Sequence, residues 1–288
     1  MIEAGLILEG GAERGVFTAG VLDCLMEEGI EFSYSCGVSA GACNAVDYLS
    51  KQIGRSKQVM IPENPSMRMV KLSAIPTQHS IIDMEMLFDR FPNRQIPFDY
   101  DTYFASPMSC ELVVTNALTG EAEYLDERAD RKRLMQILRA SSSIPVFTPM
   151  VTLDGVPYVD GSIADSIPIM HSMKKGFRKN VIVLTQERSY RKSEPDRKTE
   201  AFYRAYFRKY PKLRELMIHR PRNYNRMLDV IEKWEREGLV FVLRPETGVV
   251  GRLESDPAKL TPFFQHGYDV MRERLGEMKE YLTGISEL

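Results

Sequence analysis

Ser39, within Gly37-Val38-Ser39-Ala40-Gly41, has the neighbours a nucleophilic serine needs. A serine hydroxyl attacks poorly at neutral pH unless it is exposed, has a base within hydrogen-bond reach and has donors waiting for the oxyanion. Gly37 and Gly41 remove the Cβ atoms that would clash in a sharp strand-to-helix turn. A helix starting beyond Ser39 would aim free N–H groups at developing negative charge. In a chain with 19 glycines the pentapeptide is only moderately specific, so its context decides. Residues 32–36 read as a short strand and residues 40–49 as a helix, which favours a nucleophile over a structural turn.

Two further segments carry chemistry. Gly10-Gly11-Ala12-Glu13-Arg14-Gly15 follows the apolar run Leu6-Ile7-Leu8, and successive backbone N–H groups after a strand suit either nucleotide phosphates or an oxyanion. The nucleotide reading is weak: the loop lacks the Gly-Lys-Ser/Thr ending of a Walker loop, and Ala12 stands where a dinucleotide fingerprint has its second glycine. A plain tight turn is the bland alternative. At Val159-Asp160-Gly161-Ser162 an aspartate ends an apolar strand, which projects a carboxylate into a turn. Asp-Gly is also a common turn pair, and Asp154-Gly155, with the same letters, reads as a hairpin tip without chemistry. His79, His171, His219 and His266 carry no local signature of a base.

The elements that must hold these residues alternate. Strand, glycine-rich turn, helix over residues 17–26 stopped at Gly29, strand and helix again give β-α-β-α, hence parallel strands with the site at their carboxyl ends. Six prolines break residues 54–109 into loops and short helices. Strands are expected over 111–115, 121–124, 151–153, 156–159, 181–185 and 240–243, and helices over 131–140 and 257–281, the last broken near Gly267 or Gly276. With 288 residues, 43% of them hydrophobic, one large α/β domain is the default. The net charge of -2 gives no global pull on polyanions, and nucleic acid is not expected as a partner. Four cysteines without a CxxC pair read as reduced, mostly buried thiols, and no zinc site is expected. No stretch of 18 apolar residues and no basic leader occur, so a cytoplasmic chain without a membrane span is expected.

The order of the glycine loop, the Ser39 pentapeptide and Asp160-Gly161, the last preceded by Ser141-Ser142-Ser143-Ile144-Pro145, resembles the patatin-like phospholipases over about residues 5–185. The resemblance implies a three-layer α/β/α sandwich with a mainly parallel central sheet, and lipid acyl hydrolysis by a Ser-Asp dyad without cofactor or metal. It assigns Ser39 as nucleophile, Asp160 as base and the backbone N–H groups of Gly11, Ala12 and Glu13 as oxyanion hole. Gly10, Arg14, Gly15, Gly37, Gly41 and Gly161 complete the motifs. Two positions depart from the family pattern: Ala12 replaces a glycine, which matters if a positive φ is required, and Ser162 replaces a glycine or alanine. Ser39 also comes too early for an ordinary α/β-hydrolase, whose oxyanion loop and several strands precede the nucleophile.

Beyond the matching core lies a helical basic insertion over about residues 188–237, then a strand and helix over 238–288, all read as parts of one domain. Between Arg188 and Arg226 stand 13 Lys/Arg against 4 Asp/Glu, interleaved with Phe202, Tyr203, Tyr206, Phe207 and Tyr210. The bland reading packs Phe202, Tyr206 and Tyr210 inward under a solvated cationic face. The sharper one docks residues 188–226 on anionic lipid at the inner membrane surface. Two alternatives to a dyad hydrolase stay open: a non-catalytic lipid- or acyl-binding protein of the same fold, and a conventional Ser-Asp-His esterase.

Overall fold

The computed structural model describes residues 1–70 and 79–284. Eight strands form one mixed sheet: β1 (Ile2–Leu8), β2 (Phe32–Val38), β3 (Ser109–Asn116), β4 (Ala122–Leu125), β5 (Val151–Leu153), β6 (Val156–Asp160), β7 (Asn180–Val183) and β8 (Phe241–Leu243). The order β3-β2-β1-β7-β8 is parallel throughout, and β4, β6 and the β5–β6 hairpin add antiparallel pairs at the β3 end. At the hairpin tip Asp154 and Gly155 take φ of 50° and 82°, the left-handed pair that a tight two-residue turn demands.

Both faces of the sheet are covered, as a parallel sheet requires. In the fully buried end of β1, Leu6 and Leu8 enter one core with Phe17, Leu49 and Phe263. Ile7, between them, enters the opposite core with Tyr224, Leu228 and Ile231. The first core is roofed by α1 (Gly15–Glu27) and α2 (Ala40–Leu49). The second is closed by the 26-residue helix Pro211–Arg236, so the basic stretch expected as an insertion supplies apolar cover to the sheet itself.

Helix α1 crosses the helix Pro257–Glu273 on glycines. A Cβ on Gly267 would overlap the Phe17 carbonyl oxygen, and one on Gly20 would overlap that of Phe264. Gly267 therefore does not break this helix, one of the two places expected; the chain turns at Arg274, before a last helix Leu275–Thr283. Gly267→Ala should destabilise by about 3 kcal/mol, since backbone rather than a flexible side chain must yield. A drop in Tm of several degrees in calorimetry checks this.

Residues 54–109 form short pieces, as expected: the helix Arg55–Met60, a 3-10 turn at Pro65–Met67, a π-wound segment Met86–Gln95 containing Pro92, and the helix Tyr100–Ala105. The part of that expectation on residues 71–78 lies outside the described residues. Of the three aromatics expected inward around the helix Arg197–Tyr206, Tyr210 packs inward and the other two do not. Tyr203, with Phe207 and Tyr210 beyond it, packs against Leu213, whereas Phe202 and Tyr206 are exposed. The register of this helix on the long helix Pro211–Arg236, not its composition, chose the buried face.

Candidate active site

Ser39 follows β2 directly and caps α2 with φ 56° and ψ -122°. For a residue with a Cβ this left-handed geometry costs about 1–3 kcal/mol, a strain that clusters at functional sites. The flanking glycines are required by close approach. A Cβ on Gly41 would overlap the Leu8 carbonyl, and one on Gly37 would overlap the Gly41 carbonyl. A Cβ on Gly10 would stand 2.8 Å from the Val38 carbonyl and 2.9 Å from Ser39 Cβ. The ends of β1 and β2 thus interlock with the elbow.

A clamp absent from the sequence-based expectation holds the elbow. The Ser39 N–H donates to Ser141 Oγ at 2.9 Å, and that hydroxyl donates to the Val113 carbonyl at 2.7 Å. Ser141 is fully buried, at the end of the helix Arg131–Ser141. Its place in the Ser141-Ser142-Ser143 run was visible; its partners, 102 and 28 residues away in sequence, were not. Ser141→Ala should leave two buried polar groups unpaired, at about 1–3 kcal/mol. Loss of elbow geometry should lower kcat roughly 10- to 100-fold with little change in KM, read from steady-state kinetics on an acyl ester.

Strand register brings Asp160 to the same place. Val113 of β3 pairs with Val38, the residue before Ser39, and the next residue, Val114, pairs with Asp160 at the end of β6. Because β4 pairs with Leu112–Thr115 along the other edge of β3, β2 and β6 share one edge end to end. Asp160 is 1% exposed. Its N–H donates to the Ser143 carbonyl at 2.8 Å, Oδ1 accepts from the Ser162 N–H at 2.8 Å, and its carbonyl accepts from Thr115 Oγ1 at 2.9 Å. The second carboxylate oxygen has no hydrogen-bond partner among the described residues, and Asp160 lines the cavity that Ser39 also lines. Ser39 and Asp160 do not hydrogen-bond each other directly.

The glycine loop lies against this cavity with Ala12 at φ 49°, so the substituted position does sit in the left-handed region. The N–H groups of Gly11 and Ala12 have no hydrogen-bond partner among the described residues. That of Glu13 is engaged, donating to the Arg252 carbonyl at 3.2 Å. Below the loop, buried Glu9 accepts from the Thr185 N–H at 2.7 Å and the Tyr224 hydroxyl at 2.6 Å, tying β1 to the second-face helix.

Ser39 stands between two chambers. On one side is a mainly apolar pocket of about 930 Å³, counting its open mouth, walled by residues such as Met84, Phe88, Met135, Leu138 and Ile144. On the other is a narrow polar cavity of about 370 Å³, again counting its open mouth, lined by Asp160, Glu9, Ser162 and the cations Lys192, Arg220 and Arg252. No histidine lines either chamber. His171 binds Glu111 at 2.7 Å and stacks on Tyr124, and His266 accepts from the Glu246 N–H at 3.0 Å. Cys24, Cys36 and Cys110 are buried and Cys43 half-buried, all as free thiols.

The family model of the patatin-like phospholipases matches residues 6–173, more than half of the chain and all of the Ser39, Asp160 and glycine-loop motifs. The chain belongs to the patatin-like phospholipase family. The model of a domain of unknown function, DUF6363, matches residues 210–283. The chain is 30% identical over 185 residues to the uncharacterized protein YjjU of Escherichia coli K12, covering 62% of this chain and 51% of that one. It is 29% identical over 180 residues to the lysophospholipase NTE1 of Debaryomyces hansenii, covering 60% of this chain and 11% of that protein. It thus spans about half of one relative and about a tenth of the other. VipD from Legionella pneumophila has the same fold at a TM-score of 0.54 and 14% identity, over 96% of this chain and 67% of that structure.

One residue of the patatin-like glycine loop titrates abnormally. Glu13 is 4% exposed with an unpartnered Oε2, and burial, reinforced by Glu254, pushes its carboxyl up to about 8 from 4.5. A raised folded-state value means stability fully present below about pH 4.5 and lost as pH rises through about 8, since the unfolded chain releases this proton first. The melting temperature should therefore fall across pH 5–8, and Glu13→Gln should flatten that fall by a few kcal/mol, on the order set by burying a charge. Calorimetry of both proteins at matched pH values reads the difference.

Proposed function

We propose that this chain is a lipid acyl hydrolase in which Ser39 and Asp160 act as a dyad. The observation that carries the reading is the strained Ser39 elbow between an apolar pocket and a polar cavity that also holds a free Asp160 oxygen and two unpartnered loop N–H groups. The acyl chain lies in the apolar pocket with its ester carbonyl over Ser39. Ser39 Oγ attacks as Asp160 takes its proton, and the tetrahedral oxyanion is received by the Gly11 and Ala12 N–H groups. Asp160 returns the proton to the departing alcohol, leaving an acyl-Ser39 ester. Water, deprotonated by Asp160, attacks the acyl-Ser39 carbonyl; the bond to Ser39 Oγ breaks, Asp160 returns the proton to Oγ, and the fatty acid leaves. Active-site hydrogen bonds often tighten only when substrate is bound, so the absence of a direct Ser39–Asp160 bond does not oppose this order of events.

Release of the chromophore from a nitrophenyl fatty acyl ester, together with covalent capture of Ser39 by a fluorophosphonate, tests the reading. Neither reaction occurring would leave the non-catalytic lipid-binding alternative. The conventional triad is disfavoured by the engagement of His171 and His266 outside both chambers.

Among the described residues no helix is long and apolar enough to cross a membrane. Access to lipid from the cytoplasmic side would then be peripheral. Exposed Phe202 and Tyr206, beside Arg204, Arg208 and Lys209, offer an apolar and cationic contact for anionic lipid. Co-sedimentation with anionic vesicles that weakens with salt supports this contact; no binding at low salt ends it.

A further inference from the structure

The polar cavity carries an excess of cations that the dyad does not use. Lys192, Arg220 and Arg252 line it, and Arg14, only 6% exposed, lies close enough that Arg252 disfavours its charge. None of the four makes an ion pair among the described residues. Two carboxylates face them: Glu9, hydrogen-bonded to Thr185 and Tyr224, favours the charge of Arg14 and Lys192, and Asp160 that of Arg220, which leaves four cations against two carboxylates. Burial and mutual repulsion pull the cations below their ordinary ranges, Lys192 by burial and then Arg220, Arg220 by burial and then Arg252. Clustering cations that form no ion pair in a half-enclosed cavity carries an uncompensated desolvation cost, which a bound anion would offset.

The cations are also pre-positioned. Arg220 Nε and a terminal nitrogen donate to the carbonyl and hydroxyl of Ser162 at 2.8 Å each, two residues from Asp160. Lys192 Nζ stands 3.4 Å over the Tyr224 ring, and the Lys192 backbone is fixed on both sides by Asn225 at 2.9 Å. Arg252 lines both chambers, so its side chain borders the junction where Ser39 stands. Guanidinium and ammonium groups converging on one cavity suit the several oxygens of a phosphate. All three residues lie outside the patatin-like match at 6–173, and Arg220 and Arg252 lie inside the 210–283 region of unknown function.

We propose that the C-terminal region serves as the head-group subsite of the active site, with Lys192, Arg220 and Arg252 binding the phosphate of a lipid whose scissile ester lies at Ser39. This selects a phosphate-bearing lipid without a head-group cation over a neutral acylglycerol or a choline ester, because a quaternary ammonium would enter a cationic chamber. It rests on the Ser39 reading for the position of the ester, but not for the binding of the phosphate.

The test is equilibrium binding to Ser39→Ala protein, which cannot turn over its ligand, using lysophosphatidic acid, lysophosphatidylcholine and monoacylglycerol of one chain length, and inorganic phosphate. Lysophosphatidic acid should bind about tenfold or more tighter than monoacylglycerol, as charge-assisted bonds to phosphate require. Adding Lys192→Gln, which lines the polar chamber alone, should erase most of that margin and leave monoacylglycerol binding unchanged, and Arg252→Gln, at a residue that also lines the acyl pocket, should weaken lysophosphatidic acid far more than monoacylglycerol. Arg220 is spared because its bonds to Ser162 also brace the Asp160 turn. Equal binding of the phosphorylated and neutral lipids, or equal weakening of both by the two variants, overturns the proposal. So does inorganic phosphate binding that the variants abolish without any preference for the phosphorylated lipid, which marks a free-anion site. Wild-type protein that cleaves acyl esters yet shows no phosphate preference overturns the subsite alone. Protein that shows the full pattern but cleaves no ester keeps the subsite and overturns the Ser39 reading.

Discussion

Ser39→Ala should lower acyl ester hydrolysis by about 10³-fold or more, because it removes the atom that forms the covalent intermediate and leaves only binding and the loop N–H groups. The same variant should lose all fluorophosphonate labelling. Its thermal stability should stay near that of the wild type, since alanine keeps the Cβ and hence the strain at φ 56°. Ser39→Gly separates strain from chemistry. It is equally inactive, yet relief of the left-handed conformation should raise stability by up to about 1–3 kcal/mol, less the entropy glycine adds to the unfolded chain. A Ser39→Ala protein that retains more than a tenth of wild-type turnover would mean that the elbow is structural. Strain conserved by fold geometry would then need another explanation, such as ligand binding at the chamber junction.

Much of this site was legible because its motifs are local. Gly37, Gly41 and Ser39 lie within five residues, and each glycine meets a backbone atom that any side chain would strike, so pattern and cause coincide. The alternating strands and helices were likewise written in short-range periodicity, and Asp154-Gly155 in turn chemistry. Asp160 was ambiguous in sequence because an Asp-Gly pair serves any turn. Only the adjacency of Val113 and Val114 on β3, pairing with β2 and β6, makes it a neighbour of Ser39. Ser141 and the cations fail the same way for a stronger reason. A hydroxyl bridging two backbone groups, or Lys192, Arg220 and Arg252 converging from three segments, leaves no periodic trace. The aromatic face of the helix Arg197–Tyr206 was misassigned because two adjacent stripes, Phe202/Tyr206 and Tyr203/Phe207, are equally apolar, and packing against Leu213 decided between them.

The two halves of the chain also divide the labour chemically. The glycine loop, the elbow and the β6 terminus present reactive groups from backbone geometry that tolerates almost no change. Residues beyond β7 present long, charged side chains to the same cavity, and in the proposed head-group reading their replacement alters recognition, Arg220 also bracing the Asp160 turn through Ser162. Helix Pro211–Arg236 joins both roles: Tyr224 and Ile231 seal the sheet, while Arg220, on the same helix, reaches the cavity. In the proposed reading, substrate preference would shift through Lys192 and Arg252 while the Ser39 elbow stays fixed.

Asp160→Asn should reduce hydrolysis by about 10²- to 10⁴-fold, the range expected when a general base is removed. The amide oxygen can still accept from the Ser162 N–H, and the backbone bonds to Ser143 and Thr115 do not involve the side chain, so the turn should keep its shape. Acylation and deacylation both need the base, so pre-steady-state kinetics should show each step slowed rather than accumulated acyl-enzyme. Fluorophosphonate labelling should slow in parallel, because the same proton must leave Ser39. His171→Ala and His266→Ala should stay within about twofold of wild type, because neither lines a chamber at Ser39 and the lost bonds are to Glu111 and the Glu246 N–H. Asp160→Asn at near wild-type rate, with either histidine variant inactive, would transfer the base to that histidine and require the cavity to rearrange around it. Retained activity in all three would instead place the proton acceptor among the remaining groups of the polar chamber, where Glu9 is the other carboxylate and would have to release Tyr224 to act.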